Sequence, residues 1–125
     1  MPDTLITCPQ VKLLGNQSLP VLRWLLRHTD AIQPLVTEAI ATKEAADVPE
    51  AWTHIKAFGD IVVPIYGDFP SLAVAAVYGE GDYENFTMEV NDAYGAHGEI
   101  IKILIDNLPA IMDAFMKFWT IFGGK

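Results

Sequence analysis

Near the end of the chain, between Glu99 and Phe122, charge is confined to one stripe. Lys102, Asp106, Asp113 and Lys117 recur at spacings of four, seven and four, which on a 3.6-residue helix places them on a single narrow face. Almost every other position there is large and apolar, among them Ile101, Leu104, Leu108, Ile111, Phe115 and Trp119. The pattern predicts a long apolar C-terminal helix, kinked between Asp106 and Pro109, around which the remainder of the chain packs.

Upstream, apolar positions at helical spacing recur between proline-marked starts. A helix is expected from Ser18, with Ser18 as cap, Pro20 in the first turn and Trp24, Leu22, Leu25 and Leu26 as apolar positions. Thr29-Asp30 either caps a second helix running to Ala46 or lies in one long helix bent at Pro34. Asp47-Val48-Pro49-Glu50 reads as an Asp cap, a first-turn proline and an acid three residues on. It opens a helix whose stripe is Trp52, Ile55, Phe58, Ile61, Val62 and Ile65, and Pro64 bends or ends it. Asp68-Phe69-Pro70 repeats the cap-and-proline device before the alanine-rich run Leu72 to Tyr78. Phe86, Val90, Ala93 and Tyr94 then fit a helix, although Phe86, Met88 and Val90 also alternate as a strand would. Residues 1–17 read as an extended arm, since Pro2 and Pro9 interrupt helices and Gly15-Asn16 marks a turn.

The fold class expected is therefore all-α, about five proline-bent helices packed around the C-terminal one, with an extended arm over 1–17 and a single helical domain over 18–125. An α+β fold with a small hairpin in 69–94, turning at Gly79 to Asp82, is the alternative. The alanines at 73, 75 and 76 favour helices. Five glycines follow an aromatic residue: Gly59, Gly67, Gly79, Gly95 and Gly123. All but Gly59 fall where a helix is expected to end, so they read as helix punctuation before they read as a ligand site. Three proline-headed segments, at Pro34, Pro64 and Pro109, share an acid four residues on, but their flanks differ and no duplication is inferred.

Composition narrows the function. The chain has 125 residues, 51% of them hydrophobic and only 19% charged, with a net charge of −8. A charged share below the usual quarter or so implies apolar surface reserved for a partner. The negative balance argues against direct nucleic-acid binding and against docking on an anionic membrane. The single cysteine, Cys8, excludes an internal disulfide and suits a small hydrophobe in a reducing compartment. No basic region precedes an apolar run at the N-terminus, so no secretory signal is expected.

Candidate chemistry is sparse. Between Lys56 and Lys102 there is no basic residue, yet the interval holds Asp60, Asp68, Glu80, Asp82, Glu84, Glu89, Asp92 and Glu99. Glu80, Asp82 and Glu84 around Gly81 suggest a cation loop, but not one with the spacing of an EF-hand. Spread over one face, the acids could instead mimic nucleic acid and block a basic enzyme. The plain reading is an acidic surface that aids solubility or meets a basic partner. Arg23 and Arg27 with His28 could form an anion site, against which stands pairing with the surplus acids. His28, His54 and His97 lack metal-ligand spacing. No nucleophile elbow, phosphate loop or dinucleotide fingerprint occurs, and the only serines, Ser18 and Ser71, fall at expected helix starts.

These observations predict no catalytic residue, no metal and no cofactor. They point to a non-enzymatic structural or interaction protein that assembles with itself or a larger complex, in the cytoplasm or in a bacteriophage particle. Trp119, Phe115, Phe118, Phe122 and Trp24 are the expected interface residues, because aromatic anchors dominate such surfaces. Trp52 is expected in the core. The alternatives are a membrane-active protein using the apolar C-terminal helix and an acidic inhibitor mimicking nucleic acid.

Overall fold

The computed structural model describes residues 4–46, 48–69 and 80–122, and every regular element among them is helical. In chain order these are α1 Cys8–Leu13, α2 Ser18–Leu26, α3 Thr29–Ala45, α4 Glu50–Val62, a 3-10 segment Val63–Asp68, α5 Glu80–His97, α6 Glu99–Asp106 and α7 Leu108–Phe122. The all-α class is as expected, but the described residues alone carry seven α-helices where about five were predicted. Residues 80–94, which would have formed the far side of the alternative hairpin, lie in α5. The Asp47 cap, Pro70 and the alanine-rich run lie outside the described residues.

One extra helix comes from the arm. Residues 8–13, expected to be extended, form α1, because Pro9 falls in the first turn, where its missing N–H has no helical partner to lose. The Thr7 backbone N–H donates to Gln10 Oε1 at 2.8 Å, closing the helix start. Only the short lead-in is extended, and Asn91 of α5 holds it. Asn91 Oδ1 accepts from the N–H groups of Leu5 and Ile6 at 2.8 and 3.1 Å, while its Nδ2 donates to the Ile6 carbonyl at 2.9 Å. Ile6 and Val11 are buried beside it.

The other extra helix comes from the C-terminal stretch, which is two helices and not one long one. Pro109, in the first turn of α7, cannot donate to the Ile105 carbonyl, and the helix breaks two residues earlier at Asn107 (φ −114°, ψ 13°). Asn107 closes α6 from both its groups: its N–H reaches the carbonyls of Ile103 and Leu104 at 3.1 and 3.3 Å, and its Nδ2 donates to Ile103 at 2.9 Å. The expected kink is thus a full interruption.

The centre of the molecule also differs from expectation. Of the nine residues of α2, Leu19, Val21, Leu22, Trp24 and Leu25 are buried, and α3 packs against α2, α4, α6 and α7. The fold is organised around α3 and α4, with α7 laid across both and the buried α2 set against α3, α5 and α7. Thr29 opens α3 as a helix of its own, and Pro34 is accommodated inside it on an exposed face. Gly98, at φ +64°, closes α5 by donating to the Tyr94 carbonyl at 2.7 Å, whereas Gly95 lies one turn too early and is helical. Gly59 has a different role: it is buried in α4, and a Cβ there would overlap the Phe118 ring of α7.

Candidate interaction surface

The stripe that α4 turns inward is Ala51, Ile55, Phe58 and Val62, spaced four, three and four apart. Trp52 stands one position away from it. It is 62% exposed, so the expectation that it is a core residue is wrong. Opposite, the outer face of α7 carries Pro109, Asp113, Met116 and Thr120, all exposed, with Met116 at 64%. Between the two helices runs an open groove of about 400 Å³, lined by Ala46, Ala51, Trp52, Ile55, Asp113, Met116, Lys117, Thr120 and Ile121. Beyond it the last turn of α7 leaves Trp119, Ile121 and Phe122 exposed.

The five expected interface residues divide by depth. Trp24 is fully buried: its Nε1 donates to the Ile65 carbonyl at 3.0 Å, and its ring meets Phe69 and Phe115 edge-on at 5.5 and 5.9 Å. It is a core residue and cannot meet a partner. Phe115 is half-buried in the same aromatic group, and half-buried Phe118 covers Gly59. Trp119 lies against Tyr66 at 5.2 Å and Phe122 against Phe118 at 5.6 Å, each with its outer side exposed. Trp52, Met116 and Ile121 line the groove and are not among the five expected residues, since Trp52, three residues before Ile55, fits the apolar stripe of α4 by spacing.

The charged stripe faces outward as its spacing implies. Lys102 pairs with Asp106 and Lys117 with Asp113, both at 3.1 Å. The hydrogen bond that Lys102 donates to Asp106, and then the charge of Asp106, hold the Lys102 ammonium above its ordinary value.

The other candidate constellations resolve into structural pairs. Arg23 donates to Glu89 at 3.0 Å while its guanidinium lies over the Phe86 ring, and His28 Nε2 stands 2.8 Å from Asp68, so these groups meet acids and do not converge on an anion site. His54 meets Glu38 at 2.8 Å. Gly81, Asp82 and Glu84 lie in the first turns of α5, not in a ligand-bearing loop, and no cluster of three potential metal ligands occurs among the described residues. The acids between Lys56 and Lys102 are divided among α4, the 3-10 segment, α5 and α6, with Asp60 bonded to Lys56. An open hollow of about 600 Å³ beside α3 is lined by Thr29, Asp30, Gln33, Thr37, Glu38 and His97. No helix among the described residues is long and apolar enough to cross a membrane. Comparison with protein-family models, with curated proteins and with solved structures found no match.

Proposed function

We propose that this chain is a non-enzymatic structural protein that works by assembling, with copies of itself or into a larger complex. The observation that carries the reading is the groove between α4 and α7 together with the apolar end of α7. Trp52, Met116, Trp119, Ile121 and Phe122 leave large apolar side chains exposed along and beside it. Patches of this kind, edged by polar groups, are where proteins meet. Light scattering across a range of concentrations tests it. Association that Trp52→Glu and Met116→Glu abolish without loss of helix content supports the reading, and a chain that stays strictly monomeric and retains no protein partner removes it. The finer setting, a bacteriophage virion or its assembly machinery, rests on the small acidic chain and its lack of catalytic motifs. Its test is the presence of the chain in purified particles.

The same exposed residues favour one second reading, insertion of the end of α7 into the lipid interface, where Trp and Phe beside Lys117 would sit at headgroup level. Liposome flotation separates the two. Absence from the lipid fraction at neutral and at acidic pH eliminates it.

A further inference from the structure

We infer that the corner between α3 and α4 is a strained two-state hinge, in which Ala46 is held in a backbone conformation that belongs to glycine and whose release rearranges the mouth of the α4–α7 groove. The inference does not depend on what the groove binds.

Among the described residues Ala46 is the only one other than glycine with a positive φ, at φ 55° and ψ −124°. These are the angles of the first central residue of a type II′ turn, about +60° and −120°, a position that glycine fills because a Cβ there crowds the backbone. The turn is closed as that type requires, by the Val48 N–H donating to the Ala45 carbonyl at 3.3 Å. Burial of the methyl group does not account for alanine here, because Ala46 is exposed.

Sequence and surroundings pull in opposite directions at this corner. Lys43, Glu44, Ala45 and Ala46 are all good helix formers, alanine the best of them, so the local preference is for α3 to run on through Ala46. Instead the Ala46 N–H donates three residues back, to the Lys43 carbonyl at 3.2 Å, where a continuing helix would use the Thr42 carbonyl. The packing of α4 on α3 holds the turn against that preference. Ala51, Ile55 and Phe58 are buried, and His54 Nδ1 stands 2.8 Å from Glu38 of α3. Strain of this kind persists only where the surroundings over-determine it, and a conflict between local and tertiary preference brings a second arrangement close in free energy.

In that second arrangement Ala46 returns to right-handed helical angles and exchanges the Lys43 carbonyl for that of Thr42. The change reaches the groove, because Ala46 lines it together with Ala51 and Trp52. The first turn of α4 is tied to the corner by the Ala51 N–H on the Val48 carbonyl at 2.9 Å and the Trp52 N–H on the Pro49 carbonyl at 3.0 Å. Any occupant that prefers one shape of the mouth therefore biases the corner.

Substitution at Ala46, followed on the full chain by NMR relaxation dispersion and by urea unfolding, tests this. In the parent, the amides of Ala45, Val48, Ala51 and Trp52 should show exchange on the microsecond-to-millisecond scale with a minor state of about 1% or more. Glycine adopts the positive φ freely. Ala46→Gly should therefore raise the folding equilibrium constant about fivefold, net of glycine's greater freedom in the unfolded chain, and remove the exchange at those amides. Ala46→Gln keeps the Cβ and its strain, so it should stay within about twofold of the parent and retain the exchange. A glycine variant no more stable than the parent shows that Ala46 is not strained and overturns the inference. A parent without exchange at the corner, or exchange that survives in Ala46→Gly, overturns it equally.

Discussion

At Gly59 the absent side chain is what lets the Phe118 ring lie down on α4. Two effects oppose each other there. Alanine is favoured over glycine in a helix by about 1 kcal/mol, whereas forcing a methyl into an occupied site costs roughly 1–3 kcal/mol. The overlap with Phe118 makes the second the larger, so Gly59→Ala should lower stability by about 1 kcal/mol in urea unfolding at fixed protein concentration. In a Phe118→Ala background the ring is gone and the same change should stabilise. An unchanged sign in both backgrounds would show that Phe118 does not rest on this glycine. The exposed pair Lys102–Asp106 gives a prediction in pH. Because the lysine's folded value is raised, what the pair contributes is present below the ordinary value of 10.5 and fades as pH rises through the raised one. Asp106→Asn should return the Lys102 titration, followed by NMR, toward 10.5, and the stability difference between the two proteins should be flat between about pH 6 and 9.

Among the elements, the arm and α1 depend most visibly on one side chain. Asn91 meets the main chain of Leu5 and Ile6 as a neighbouring strand would, with two acceptor contacts and one donor contact. Asn91→Ala leaves those partly buried groups without their partner and should cost about 2 kcal/mol. Amide exchange at Leu5 and Ile6 should accelerate beyond the global change, while that of Leu22 follows global unfolding only. Equal acceleration at all three would mean that the arm is held by packing alone. Helicity was legible in the sequence because the apolar spacing of Ile55, Phe58 and Val62, and the outward stripe from Lys102 to Lys117, are local properties of the chain. The helix interruptions were harder to read. A proline both starts and breaks helices, and Pro9 and Pro109 are at starts, which only the neighbouring residues Thr7 and Asn107 reveal through their hydrogen bonds. The depth of the tryptophans was least legible, since Trp24 and Trp52 have the same chemistry and differ in whether a third element closes over them. Trp52, three residues before Ile55, fits the stripe by spacing, and only the packing of Ala51 at the inward position sets it aside. For Trp24 the covering comes from the 3-10 segment and α7, distant in sequence.

For the whole molecule, the location of the core separates tolerated from forbidden charge. Ile111 and Leu104 are fully buried on the inner faces of α7 and α6, while Asp106 and Asp113 are on the outside. Ile111→Asp should abolish cooperative folding, because an unpaired charge in a dry core costs several kcal/mol, comparable with the stability of a small domain. Asp106→Leu should shift the urea midpoint little. Thermal melts followed by circular dichroism distinguish the two, and equal tolerance would mean that inside and outside are reversed. If the chain associates through the groove between α4 and α7, the melting temperature of the parent should rise with protein concentration, and that of Trp52→Glu should not. The placement of indole rings has an optical consequence. Trp24 is dry and hydrogen-bonded to the Ile65 carbonyl, whereas Trp52 and Trp119 are wetted. Acrylamide should therefore quench most of the native emission and leave a blue residue from Trp24. Self-association should move the emission to shorter wavelength as Trp52 leaves water, and unfolding should move it to longer wavelength as Trp24 enters it, so a single spectrum reports the direction of either transition.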